Sequence, residues 1–250
     1  MTIVHANGLD FHAKAVGEGP PLFMLHGLLF DNLSSWYFAA GRLSENHRLL
    51  LYDLRGHGRS ELAPSGYALA SMASDLAAMA DALAPGEAFD LAGFSYGSLT
   101  ALTFALANPD RVKRLILVEA PLPPFEDLVK DLRRADLASL LRNVPPHVLS
   151  ALMSNPKGLA ALTKRVNALA KRTTIVQDVR GEAPLDERLL RALDVPTLLI
   201  YGRDSDFVDD GRYLAETLRH ARLDLIDGTH MLLHENAPQT VAQMQDFLTI

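Results

Sequence analysis

A chain of 250 residues with 48% hydrophobic and 22% charged residues has the make-up of one α/β domain with room for an insertion, and no apolar run approaches the roughly 18 residues of a membrane span. Its 24 basic and 30 acidic side chains leave a formal net charge of −6, so a general electrostatic pull toward nucleic acid is missing. With 0 cysteines, disulfides, thiolate zinc sites, iron–sulfur clusters and a cysteine nucleophile are all excluded.

The N-terminal stretch carries His5, Asp10, His12 and Lys14 and no continuous apolar core, so it does not read as a secretory signal, and a cytoplasmic protein is expected. Apolar β-rich runs follow at 22–25, 49–54, 89–94, 115–118, 197–201 and 223–226, several of them closed by Gly or Asp. Helical composition and spacing occupy 71–83, 96–107, 211–218 and 238–248. The alternation predicts a doubly wound, mostly parallel sheet covered on both faces.

One stretch breaks the rhythm. From Pro121 to about Ala183 only amphipathic segments occur, punctuated by Pro123-Pro124, Pro145-Pro146 and Asn155-Pro156. The expectation is a core of 1–120 and 184–250 carrying a helical lid at 121–183, with Leu128, Leu132 and Leu152 facing substrate. The lid is rich in Lys and Arg, among them Lys130, Arg133, Arg134, Arg142, Lys164 and Arg165, which read as a solvated face rather than an anion-binding surface.

The strongest chemical signal is Gly93-Phe94-Ser95-Tyr96-Gly97, set between the apolar run at 89–94 and the helical run at 96–107. A strand that turns sharply into a helix holds its serine in a strained conformation, and small neighbours let the backbones pass. Ser95 Oγ would then stand exposed at a helix N-terminus, as a nucleophile in need of a base.

These residues resemble the α/β-hydrolase fold, and the likeness extends over nearly the whole chain. Further motifs agree: His26-Gly27-Leu28 at the family's oxyanion loop, Asp53-Leu54-Arg55-Gly56-His57-Gly58-Arg59-Ser60 at the turn after the next strand, and Gly228-Thr229-His230 after the last strand. The resemblance implies His230 as the base, with His234 as its rival, because Gly228, His230, Glu235 and Pro238 fit the family pattern. It implies the backbone N–H groups of Leu28 and Tyr96 as the oxyanion hole, and a loop-fixing role for His26. The commoner acid position falls on Ser205, flanked by Asp204 and Asp206, whereas Glu119 stands at an alternative acid position at the end of the run at 115–118. Glu119 is therefore assigned as the acid, with Asp206 and then Asp204 as alternatives and a lid-anchoring ion pair as its non-catalytic reading. Glu119-Ala120-Pro121, Glu126-Asp127-Leu128 and Ser154-Asn155-Pro156 are also similar to the zearalenone lactonases, which use a Ser-Glu-His triad.

The expected function is hydrolysis of a small-molecule carboxylic ester or lactone, without metal or organic cofactor, without nucleic acid or membrane as partner, and with a homodimer left open. The same triad would also serve C–C bond or thioester cleavage, and a ligand-binding receptor with a hydrolase fold is the reading from another class. Repeated turnover of p-nitrophenyl acetate separates enzyme from receptor.

Overall fold

The computed structural model describes residues 2–29, 32–134, 141, 144 and 146–249. The strands are β1 (Thr2–Ala6), β2 (Leu9–Val16), β3 (Pro21–Leu25), β4 (Arg48–Tyr52), β5 (Phe89–Phe94), β6 (Val112–Val118), β7 (Thr197–Gly202) and β8 (Ala221–Ile226). They form one sheet of 8 strands in the order β1-β2-β4-β3-β5-β6-β7-β8. β2 runs antiparallel to β1 and β4, and all other neighbours are parallel. This is the doubly wound sheet that the alternating pattern predicts.

The parallel strands are buried on both faces, which is why they read as unbroken apolar runs. Successive side chains divide between two cores. Phe23, Leu25, Leu91, Leu115, Leu117 and Leu199 face one core, together with α2 (Leu69–Leu83) and α3 (Tyr96–Ala107). Leu22, Met24, Ala92, Ile116, Val118, Leu198 and Ile200 face the other, together with α1 (Tyr37–Leu43).

Strands β1 and β2 are absent from the sequence-based expectation. They are joined by Asn7-Gly8, both at positive φ, in a two-residue hairpin turn. Their signal is this pair flanked by half-exposed residues, weaker than the apolar runs of the central strands. β4 also stops short of the expected residue 54: the Asp53 carboxylate accepts the Leu33 and Arg59 N–H groups, both at 2.8 Å, and holds the chain in a turn.

Between β6 and β7 the regular elements among the described residues are helices: α4 (Glu126–Arg134), α5 (Pro146–Met153), α6 (Pro156–Arg172), α7 (Ile175–Arg180) and α8 (Glu187–Ala192). Leu132 is fully buried with Tyr96 and Leu169 in the main core, and Leu128 packs half-buried against the same cluster. Leu132 is thus a core residue of the kind whose truncation typically costs about 2–5 kcal/mol, while the side chain of Leu152 and all of Arg142 lie outside the described residues. Arg165 also departs from the solvated reading, since its guanidinium donates to the Gly56 and Gly58 carbonyls and ties α6 to the turn after β4.

After β7 come α9 (Val208–Thr217), β8, α10 (Leu232–Glu235) and α11 (Ala237–Thr249). Val241, Met244 and Leu248 of α11 fill the second core. Among the described residues, no helix is long and apolar enough to cross a membrane.

Candidate active site

Ser95 sits between β5 and α3 with φ +54, a region that a non-glycine residue enters only when its surroundings impose it. The surroundings here are backbone. A Cβ on Gly93 would strike the Gly97 carbonyl, and one on Gly97 would strike the carbonyl of His26, so the two glycines let the turn pass against itself and against the end of β3. Ser95 N–H donates to the Val118 carbonyl at 2.9 Å and pins the turn to the end of β6.

Glu119 is the next residue along that strand end. It is fully buried, has φ +53, and joins β7 through its N–H, which donates to the Ile200 carbonyl at 2.9 Å. Its Oε1 accepts the Gly202 N–H at 2.5 Å, and its Oε2 accepts both the Ser205 hydroxyl at 2.5 Å and His230 Nδ1–H at 3.2 Å. Beneath it Tyr201 donates its hydroxyl to the Ala120 carbonyl at 2.8 Å, and burial with the nearby Glu119 charge pushes that phenol well up from its ordinary pKa.

His230 lies in the loop after β8, half-buried, with Nε2 at 3.0 Å from Ser95 Oγ. A carboxylate can only accept, so the proton belongs on Nδ1, and the Nε2 lone pair is left facing the serine hydroxyl. The ring is held between Phe94, stacked at 5.4 Å, and Phe207, edge-on at 4.7 Å. Glu235 fixes the loop by accepting the Thr229 N–H at 2.7 Å and the Thr229 hydroxyl at 2.9 Å.

The structure therefore brings Ser95, His230 and Glu119 into one hydrogen-bonded line. It leaves the alternatives elsewhere: His234 is exposed on α10, and Asp204 and Asp206 are exposed on either side of the buried Ser205. The residues that the sequence reading lacks are Gly202, Phe94 and Phe207 as supports, and Ser205 as a donor to the acid. Ser205 was marked only as the residue standing at the commoner acid position, and nothing in the sequence showed that its hydroxyl would meet Glu119.

The neighbouring loop is laced by two histidines of fixed tautomer. His26 Nδ1–H donates to the Gly27 carbonyl at 2.7 Å while Nε2 accepts the Leu54 N–H at 2.9 Å. His57 Nδ1–H donates to the Arg55 carbonyl at 2.8 Å while Nε2 accepts the Leu29 N–H at 2.9 Å. Burial pushes His57 down to about 3, with the nearby His26 adding to the shift, so the ring stays neutral and can keep accepting. Leu28 lies between these anchors, and Tyr96 opens α3, where the first N–H groups have no helical partner. Among the described residues, neither the Leu28 nor the Tyr96 N–H has a protein acceptor.

The sheet order, the serine on the turn after β5 and the histidine after β8 define a hydrolase-type α/β protein. The chain belongs to the alpha/beta hydrolase fold family, which it matches over residues 20–152. It is 35% identical over 121 residues to epoxide hydrolase 2 of Siraitia grosvenorii, a match covering 46% of this chain and 37% of that protein. The chain thus spans little more than a third of that relative's length. It is 30% identical over 243 residues to the pimeloyl-acyl-carrier-protein methyl ester esterase of Nitrosomonas europaea, covering 86% of this chain and 90% of that one. Among solved structures, the enol-lactonase from Burkholderia xenovorans LB400 superposes with a TM-score of 0.81 at 25% identity, covering 100% of both chains.

Proposed function

We propose that the protein is a serine hydrolase of carboxylic esters or lactones that works through an acyl-enzyme. Ser95 Oγ attacks the carbonyl carbon as His230 Nε2 takes its proton, and the imidazolium so formed is offset by Glu119 at Nδ1. The Leu28 and Tyr96 N–H groups receive the oxyanion. His230 then protonates the leaving oxygen; in a lactone that oxygen stays tethered to the acyl group. Water, deprotonated by the same imidazole, releases the acid and restores Ser95.

The observation that carries this reading is the continuous line from Ser95 Oγ to His230 at 3.0 Å and from His230 to the buried Glu119 at 3.2 Å. A serine at the elbow, where an aspartate would be needed for epoxide opening, separates this chemistry from that of the epoxide hydrolase relative. The esterase and lactonase likenesses point to acyl transfer.

The test is covalent labelling with a fluorophosphonate followed by an ester and lactone panel. The parent protein is expected to label and to turn over p-nitrophenyl acetate repeatedly, and Ser95→Ala to do neither, with a loss on the order of 10⁶ in kcat. Unchanged labelling in Ser95→Ala would overturn the assignment.

A further inference from the structure

We infer that Ser205 is a positioning residue for the acid: its hydroxyl holds the Glu119 carboxylate turned toward His230. The inference rests on the hydrolase reading above and concerns the same site.

The direction of the bond follows from its neighbours. Ser205 Oγ accepts the Phe207 N–H at 3.2 Å, which occupies a lone pair and leaves the hydroxyl proton for Glu119 Oε2 at 2.5 Å. Ser205 is itself fixed, because its N–H donates to the Gly202 carbonyl at 3.2 Å and it is only 5% exposed. The short segment Ser205–Asp206–Phe207 thus grips both partners, the acid through the Ser205 hydroxyl and the base through the Phe207 ring.

A carboxylate with no solvent contact takes its hydrogen bonds from protein donors alone. Among the described residues, Glu119 has three: the Gly202 N–H, the Ser205 hydroxyl and His230 Nδ1–H. The first two also decide which oxygen faces the imidazole, since one is tied to each. The titratable groups around this carboxylate include His230, which bonds it, and Tyr201, whose proton is committed to the Ala120 carbonyl and which also lies near the Asp210 charge. Without the Ser205 hydroxyl, Oε2 keeps more of its charge for His230, the imidazolium is favoured, and the ring loses its proton only at higher pH.

The experiment compares Ser205→Ala, Ser205→Cys and Ser205→Thr with the parent, using p-nitrophenyl acetate kinetics across pH and thermal melting. Ser205→Ala is expected to lose on the order of ten- to a hundredfold in kcat with KM little changed, the size of a hydrogen bond to a charged group, and to shift the acid limb of kcat/KM upward in pH. Ser205→Thr should restore most of kcat. Ser205→Cys keeps nearly the same shape with a weaker donor, so it should fall between alanine and the parent, and it decides the matter if the alanine variant does not fold. Ser205→Ala within about twofold of the parent, with an unmoved acid limb, would overturn the inference, as would equal losses in the alanine and threonine variants. Ser95→Ala, run alongside, separates the two levels. If it is inactive while the Ser205 variants behave as the parent, only the inference fails, and if it stays active both fall.

Discussion

Gly202 and Gly228 meet backbone to backbone: a Cβ built on Gly202 would penetrate the Gly228 carbonyl, and the next residues add a 3.1 Å hydrogen bond from Asp204 N–H to that same oxygen. Gly202 N–H holds the Glu119 carboxylate, and Gly228 begins the loop that carries His230, so this contact sets the distance between Glu119 and His230. Gly202→Ala should therefore force the two strand ends apart. We expect a stability loss of about 1–3 kcal/mol, together with a kcat loss larger than the change in melting temperature would suggest. Melting curves and kcat/KM measured on the same preparation check this, and an alanine variant with parental activity would show that the loops part without moving the acid.

The acid assignment makes a sharp contrast among three carboxylates. Glu119→Gln keeps shape but removes charge and can hold the imidazole in the wrong tautomer, so a kcat loss of roughly 10⁴ is expected by analogy with the aspartate of serine proteases. Asp204→Asn and Asp206→Asn, both at exposed positions, should stay within about tenfold of the parent. An inactive Asp206→Asn beside a near-normal Glu119→Gln would reassign the acid.

His57 gives a prediction about pH and stability. Its pKa in the folded protein is pushed down to about 3, from about 6.5 when unfolded, so below pH 6.5 the unfolded chain binds a proton that the folded one refuses. The stability associated with the neutral ring is complete above about pH 6.5 and is lost as pH falls toward 3, at about 1.4 kcal/mol per pH unit. His57→Gln can still accept the Leu29 N–H but does not titrate, so the difference in unfolding free energy between the two proteins should narrow steadily on acidification across that window. Parallel curves for parent and variant would refute the buried neutral ring as the source.

The chain by itself determined the central sheet and the serine turn, because both are local. Runs such as Leu22–Leu25 and Phe89–Phe94 are apolar at every step since both faces of a parallel strand are covered, and Gly93 and Gly97 mark where backbones must touch. His230 was legible for a related reason, through its spacing from Gly228 and Glu235 in one loop. The carboxylate that meets His230 was not decided at that level. Asp204, Ser205, Asp206 and Glu119 are all compatible with the pattern, and side chains in extended segments alternate in direction, so a shift of one residue turns a carboxylate from the site to solvent. Only the parallel pairing of β6 with β7, which sets Val118 beside Ile200, places Glu119 against Gly202 and Ser205 and under His230. The tertiary structure likewise made a core residue of Leu132 and a tie to the core of Arg165, since burial and partners belong to the packed chain and not to any segment of it.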